Sequence, residues 1–329
     1  MSNAARADIV VPLPPLDPDI ATFVARMRAD SARHPPRESM PVTQARAVAE
    51  IVRKPWTEGG PVMVETIERL VPTRHGPVRT RIYYPADHRP LPTFVYVHGG
   101  GWTLFSIDTH DRLMREYAAR SGMAVVGIDY SRAPEARFPQ PLEETIDIVR
   151  WLGANGAALG LDAGKLVIGG DSAGGNISVA TALVLRDAGE SLLRGMVLNY
   201  GCYDIDFLSD SVVRYGGGDY LLTTHMMLWF CWQYLPSPRD AANPLASPLH
   251  ADLKGLPPAF MAITELDVLH DQNLAMEQAL KAAGVAVEAH VYKGTVHSFL
   301  EAMSIAAVSV RAIDETCTWL KQLIGETKQ

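Results

Sequence analysis

The segment Leu166-Val-Ile-Gly-Gly-Asp-Ser-Ala-Gly-Gly-Asn176 puts a serine where an apolar, β-rich run breaks directly into a helical pattern. Leu166 to Ile168 have the composition of a buried strand, and Asn176 to Leu185 carry apolar residues at helical spacing. Between them, Gly170-Asp171-Ser172-Ala173-Gly174 fits G-x-S-x-G, a strand–turn–helix element that holds a nucleophile at its apex. A turn this tight crowds neighbouring side chains, so the flanking positions need glycine. It leaves the Ser172 hydroxyl beside a helix N-terminus, where free amides and the helix dipole favour negative charge.

The rest of the chain supplies the sheet that such an element requires. Val62 to Val71 and Val78 to Tyr84 alternate in polarity and read as two strands joined by a turn at His75-Gly76-Pro77. Six further strands are predicted at Thr93–Val97, Ala124–Tyr130, Lys165–Gly169, Gly195–Tyr200, Ala259–Thr264 and Val285–Tyr292. Helical stretches separate them: Thr109–Arg120, Leu142–Leu152, Gly175–Ala188, Asn273–Ala283 and, last, Ile305–Leu323. Apolar strands alternating with helices imply an α/β fold, a mostly parallel eight-stranded sheet covered on both faces. Between Gly201 and Pro258 the chain runs far longer than a crossover needs and is rich in aromatic residues and methionine. With helical patterning at Ile20–Ala29 and Gln44–Val52, it reads as a helical cap over the C-terminal edge of the sheet, where open α/β sheets bind ligands. The expected division is therefore 1–60 for the N-terminal part of the cap, 61–200 and 251–329 for the core, and 201–250 for the cap insertion.

Composition narrows the function classes. The 329 residues carry a formal net charge of −7, and no Lys/Arg cluster suggests a nucleic-acid surface. No apolar stretch is long enough to cross a bilayer, and the N-terminus lacks the continuous apolar segment of a signal peptide. Cys202, Cys231 and Cys317 are far apart and odd in number, which suits free thiols in a reducing compartment rather than a disulfide scaffold or a zinc site. The expectation is a cytoplasmic protein without metal, cofactor, nucleic-acid partner or membrane insertion.

Acyl transfer needs a nucleophile, a base, an acid to orient the base, and donors for the oxyanion. In α/β-hydrolases these follow in the order Ser, Asp or Glu, His. After Ser172, three carboxylates compete in Thr264-Glu-Leu-Asp-Val-Leu-His-Asp271. Glu265 falls near the strand end and Asp271 is placed to cap the next helix, so Asp267, in the loop, is favoured. His297, after the last predicted strand, is the expected base, whereas His290 lies inside that strand and His270 is too near the acid. The run His98-Gly-Gly-Gly-Trp102 follows another strand and lets backbone amides converge on a developing negative oxygen. Gly100, Gly101 and Ala173 are the expected oxyanion donors. His98, Gly99 and Asp171 are expected to support the two loops, Asn176 to be structural, and Trp102, Tyr203 and Leu300 to face the substrate. Neither glycine cluster fits the G-x-G-x-x-G of a dinucleotide site.

Together these residues resemble the hormone-sensitive-lipase-like esterases of the α/β-hydrolase superfamily. The resemblance rests on His98-Gly-Gly-Gly-Trp102, Gly170-Asp-Ser-Ala-Gly-Gly175, Asp267-Val-Leu-His-Asp271 and His297-Ser-Phe299. Ser106-Ile-Asp-Thr-His-Asp-Arg-Leu-Met114 and Gly127-Ile-Asp-Tyr-Ser-Arg-Ala-Pro-Glu-Ala-Arg-Phe-Pro-Gln140 look closer still to bacterial acetyl esterases. Two departures are Val268, where the family usually has proline, and Trp102, where it often has phenylalanine. The resemblance implies hydrolysis of short-chain carboxylic esters, acetyl to about octanoyl, through an acyl-enzyme. Amidases or deacetylases of small acylated molecules would share every motif, and a ligand receptor on a hydrolase scaffold would share the fold without turnover. The exposed edge of the last strand is an expected pairing surface for a second copy.

Overall fold

A computed structural model describes residues 13–325; residues 1–12 of the expected N-terminal cap segment lie outside the described residues. The chain begins with α1 (Pro18–Ser31), whose start is capped by the Asp17 carboxylate accepting from the amides of Asp19 and Ile20. Ile20, Phe23, Val24 and Met27 recur at helical spacing and form its buried face. α2 (Val42–Thr57) follows, burying Ala45, Ala49, Val52, Arg53 and Trp56.

The two alternating segments form a hairpin, β1 (Glu65–Thr73) and β2 (Gly76–Tyr84), in antiparallel register from Glu65↔Tyr84 to Thr73↔Gly76. Then strands and helices alternate: β3 (Leu91–Val97), α3 (Asp111–Ser121), β4 (Ala124–Ile128), α4 (Gln140–Asn155), β5 (Leu161–Asp171), α5 (Ala173–Asp187) and β6 (Leu193–Asn199). The long interval after β6 contributes α6 (Asp210–Tyr215) and α7 (Thr224–Tyr234). The chain re-enters the sheet as β7 (Ala259–Leu266), α8 (His270–Ala282), β8 (Val287–Val296) and α9 (Ala307–Gly325). Among the described residues no helix is long and apolar enough to cross a membrane.

The eight strands lie in the order β1-β2-β4-β3-β5-β6-β7-β8, antiparallel as far as β4 and parallel from β4 to β8. From β3 the chain steps outward to β4, then returns across β3 to β5. The progression of strands therefore reverses between β3 and β5, and the loops leaving those two strands diverge around a crevice. Val97 is registered with Gly170, so both strands end at the same height.

Strand ends differ from the sequence reading where local turns decide them. β8 starts later than expected because Gly284, with φ 79°, turns the chain before it, and it runs on to Val296, which is registered with Leu266 of β7. β7 runs on to Leu266 and so takes in Glu265. α8 opens at His270 with no side-chain cap, which removes the capping role foreseen for Asp271. That carboxylate instead accepts from the Ser211 amide at 2.7 Å, tying the start of α6 to α8.

Candidate active site

The ends of four strands of the parallel part of the sheet, β3, β5, β7 and β8, supply the site. Ser172, Asp267 and His297 are each the first residue beyond β5, β7 and β8, and His98 is the first beyond β3. Sheet register therefore brings together Ser172 and His297, 125 positions apart in sequence.

Ser172 sits at φ 54° and ψ −118°, a conformation costly for a residue with a Cβ. Backbone bonds hold it there. Its amide donates to the Asn199 carbonyl at 2.9 Å, and its carbonyl accepts from the amides of Asn176 and Cys202, both at 3.2 Å. The turn is pressed against the end of β3: a Cβ on Gly170 or Gly174 would lie 2.0 or 1.9 Å from the Val97 carbonyl oxygen. Asn176 is structural, its amide group donating to the carbonyls of Cys202 and Ala246 at 2.8 Å each.

His297 Nε2 lies 2.9 Å from Ser172 Oγ, and its Nδ1 lies 2.7 Å from Asp267 Oδ2. Asp267 is buried and also accepts from the Thr264 hydroxyl at 2.6 Å and the Leu269 amide at 3.0 Å. Burial pushes its carboxyl up, but the His297 charge and these hydrogen bonds outweigh burial and hold it below the usual carboxylate range. The competing groups are engaged elsewhere. Glu265 accepts from the Gly294 amide and Lys293, His270 Nδ1 bonds the Thr264 carbonyl, and His290 pairs with Glu288.

The glycine loop is fixed to the serine turn by Asp171. Its Oδ1 accepts from the Gly99 amide at 3.0 Å and the Tyr96 hydroxyl at 2.8 Å, while Oδ2 faces His110 Nε2 at 3.4 Å. Burial opposes ionisation there, yet the His110 charge and the hydrogen bonds from His110 and Tyr96 hold the carboxyl well below its ordinary value. His98 stacks on Tyr130 at 4.3 Å, and its Nδ1 bonds the Gly99 carbonyl at 2.7 Å. Burial, reinforced by the neighbouring His110 charge, lowers His98 to about 3. It is a neutral prop. Gly100 and Gly101 take φ 118° and 58°, and a Cβ on either would strike the Leu104 carbonyl oxygen or the Phe230 ring at 2.3 or 2.2 Å. Their amides and that of Ala173 have no acceptor among the described residues, and all three residues border the cavity that Ser172 and His297 face.

This cavity encloses about 270 Å³. Trp102, expected to face the substrate, borders this space and stacks on Tyr234 at 4.4 Å. Tyr203 and Leu300, expected to face the substrate, are not among its walls. The Tyr203 ring folds back over Gly201, and Ser298 at φ 66° turns the chain after His297 so that Leu300 is buried in the short turn Phe299–Ser304. The walls are instead Phe105, Leu221, Leu222, Met226, Met227 and Phe230, together with Arg37 from the short turn between α1 and α2 and Arg53 from α2. Arg53 was legible in part: it falls on the stripe Ala45, Ala49, Val52, Trp56, where a charged side chain points inward. Among the described residues no group of three metal-ligating side chains occurs.

Residues 94–301 match the family of the α/β-hydrolase fold. The chain is 36% identical over 268 residues to an acetyl esterase of Salmonella choleraesuis, covering 80% of this chain and 81% of that protein. Its fold superposes on the hyperthermophilic esterase of the archaeon Pyrobaculum calidifontis with a TM-score of 0.88 at 35% identity, covering 94% and 99% of the two chains. An ester-hydrolase from the metagenome of Lake Arreo, solved in complex with a derivative of bipyridine phosphonate, aligns at a TM-score of 0.90 and 32% identity over 94% and 99%. The chain belongs to the hormone-sensitive-lipase-like esterases of the α/β-hydrolase superfamily and is a carboxylic ester hydrolase.

Proposed function

We propose that the protein hydrolyses short-chain carboxylic esters through an acyl-enzyme on Ser172. His297 Nε2 takes the hydroxyl proton as Ser172 Oγ bonds to the ester carbonyl carbon. Asp267 accepts from Nδ1–H, fixing the tautomer and stabilising the imidazolium. The amides of Gly100, Gly101 and Ala173 receive the negative oxygen of the tetrahedral intermediate. His297 returns the proton to the departing alkoxide as the carbon–oxygen bond breaks. A water then attacks the acyl carbon, giving its proton to His297, and the carboxylic acid leaves as Ser172 regains a proton.

The observation that carries this reading is the unbroken chain of bonds Ser172 Oγ–His297–Asp267, at 2.9 and 2.7 Å, beside amides without acceptors. A cavity of about 270 Å³, at the small end for ligand pockets, supports acyl groups from acetyl to about octanoyl. The Lake Arreo relative, solved with a phosphonate derivative, supports testing this serine with a phosphorus electrophile. The wild-type chain is expected to bond covalently to a fluorophosphonate and to turn over aryl acetates. Ser172→Ala should do neither while keeping its circular dichroism spectrum. Near-wild-type turnover by that variant would refute the assignment, and aryl esters from acetate to laurate would set the chain-length limit.

A further inference from the structure

The cavity is bordered by arginines that ester hydrolysis does not use. Its charged lining comprises Arg28, Arg37 and Arg53 against Glu38 and Asp171. The Asp171 oxygens are already engaged by Tyr96, Gly99 and His110. Arg53 is only 5% exposed. Its guanidinium pairs with Glu301, donates to Ser298 Oγ at 3.2 Å and lies 4.5 Å over the Phe105 ring. Its Nε–H, buried beside the cavity, has no acceptor among the described residues. Arg37 is half-buried and donates to Ser31 Oγ at 3.3 Å, and no carboxylate among the described residues comes within ion-pair distance of it. Burial first, and the positive charge of Arg37 second, lower Arg53 to about 9. Two guanidinium groups thus border the same small cavity, and the buried Nε–H of one of them has no acceptor among the described residues.

Donors buried without acceptors are destabilising in the free protein, and a planar carboxylate is the group that a guanidinium fork matches best. Glu301 pairs with Arg53 and Arg28 donates to the Gly218 carbonyl, whereas Glu38, though next to Arg37 in sequence, makes no ion pair with it among the described residues, so Arg37 is the guanidinium at this cavity left without a carboxylate.

We propose that Arg37 and Arg53 form an anion subsite in this cavity, so that the substrates include esters whose far end carries a carboxylate. This rests on the esterase reading for the reacting end alone; the bond cleaved and the proton path are unchanged. The apolar side built by Leu221, Met226 and Phe230 takes the hydrocarbon part of the molecule, and the arginine side takes its charge.

The test measures binding apart from turnover. On the full chain carrying Ser172→Ala, calorimetry gives Kd for monomethyl succinate, glutarate and adipate (charge in the acyl half) and for acetoxyacetate (charge in the alcohol half). Each is compared with its neutral methyl ester. One series should bind at least tenfold more tightly as the anion, the scale of one charged hydrogen bond, and Arg37→Gln should remove most of that ratio. Arg37→Lys, which keeps the charge and loses the fork, should retain part of it and serves if the glutamine variant does not fold. Weaker binding of every anion than of its neutral ester overturns the inference, as does a preference that Arg37→Gln leaves intact. Failure of wild-type protein to turn over any ester would sink the esterase reading instead, and these binding ratios would still decide the subsite.

Discussion

Replacing Gly101 by alanine tests whether the cap helix α7 shapes the proposed oxyanion site. A Cβ at this position would meet Cγ, Cδ1 and Cδ2 of Phe230 at 2.2, 2.3 and 2.5 Å. Carbon atoms settle at about 3.5–4.0 Å, so loop or ring must move by more than about 1 Å. A shift of that size at a reacting centre costs about a hundredfold, and losing one oxyanion donor costs roughly 3–4 kcal/mol. Gly101→Ala is therefore expected to lower kcat/KM for an aryl acetate by about 10²–10³-fold with the fold retained. Phe230→Ala in the same chain removes all three clashing atoms and should recover much of the loss. Recovery stays incomplete, because alanine at φ 58° still carries about 1 kcal/mol of left-handed strain. Gly100→Ala strikes the backbone oxygen of Leu104 at 2.3 Å, and no side-chain truncation should rescue it. Steady-state kinetics of the four variants, with Phe230→Ala alone as control, decide the matter. A Gly101→Ala enzyme within threefold of wild type, or a folded double variant no better than the single one, would refute the reasoning.

Asp267→Asn leaves the shape of the site but removes the charge facing His297 Nδ1; kcat should fall by about 10⁴, and a loss below tenfold would remove Asp267 from the mechanism. Stability should decline in mild acid. His98 titrates at about 3 when folded and near 6.5 when unfolded, so between these values the unfolded chain holds the extra proton. Stability then falls by about 1.4 kcal/mol per pH unit on acidification for this one group, and His98→Asn should flatten urea-melt stability between about pH 6.5 and 4.5. The lowered carboxyls of Asp171 and Asp267 add stability above their unfolded values near 4 and lose it below, steepening the fall there. Among the described residues β8 pairs with no strand but β7, and its outer edge, bonded near its end by the Asp17 amide on the Gly294 carbonyl, is proposed to dock a second copy; light scattering should give a dimer, and a monomer at all concentrations would end that idea.

Much of this arrangement was readable from local pattern. The serine turn, the glycine loop and the two loops carrying Asp267 and His297 each follow a run of buried β-rich residues, and the parallel sheet does the rest. Asp271 was misread because a carboxylate at a helix start usually caps its own helix, whereas here the Ser211 amide is nearer. Leu300 was misread because sequence adjacency to His297 carries no direction once Ser298 reverses the chain. Tyr203 belongs to the aromatic-rich interval, where composition gives no clue as to which rings face the cavity and which pack against backbone. The partners of Asp171 were invisible for another reason: Tyr96, Gly99 and His110 are set 61 to 75 positions away, and only the register of β3 with β5 joins them.

One carboxylate, adjoining the serine in sequence, grips the loop that carries the donor amides. The serine and the amides proposed to receive the oxyanion are thus mounted on a common bracket, which ties their separation to one hydrogen bond rather than to the sheet as a whole. Flexing of the covering helices alters what enters the crevice and leaves that spacing almost untouched, so selectivity can drift while the reacting geometry is inherited whole.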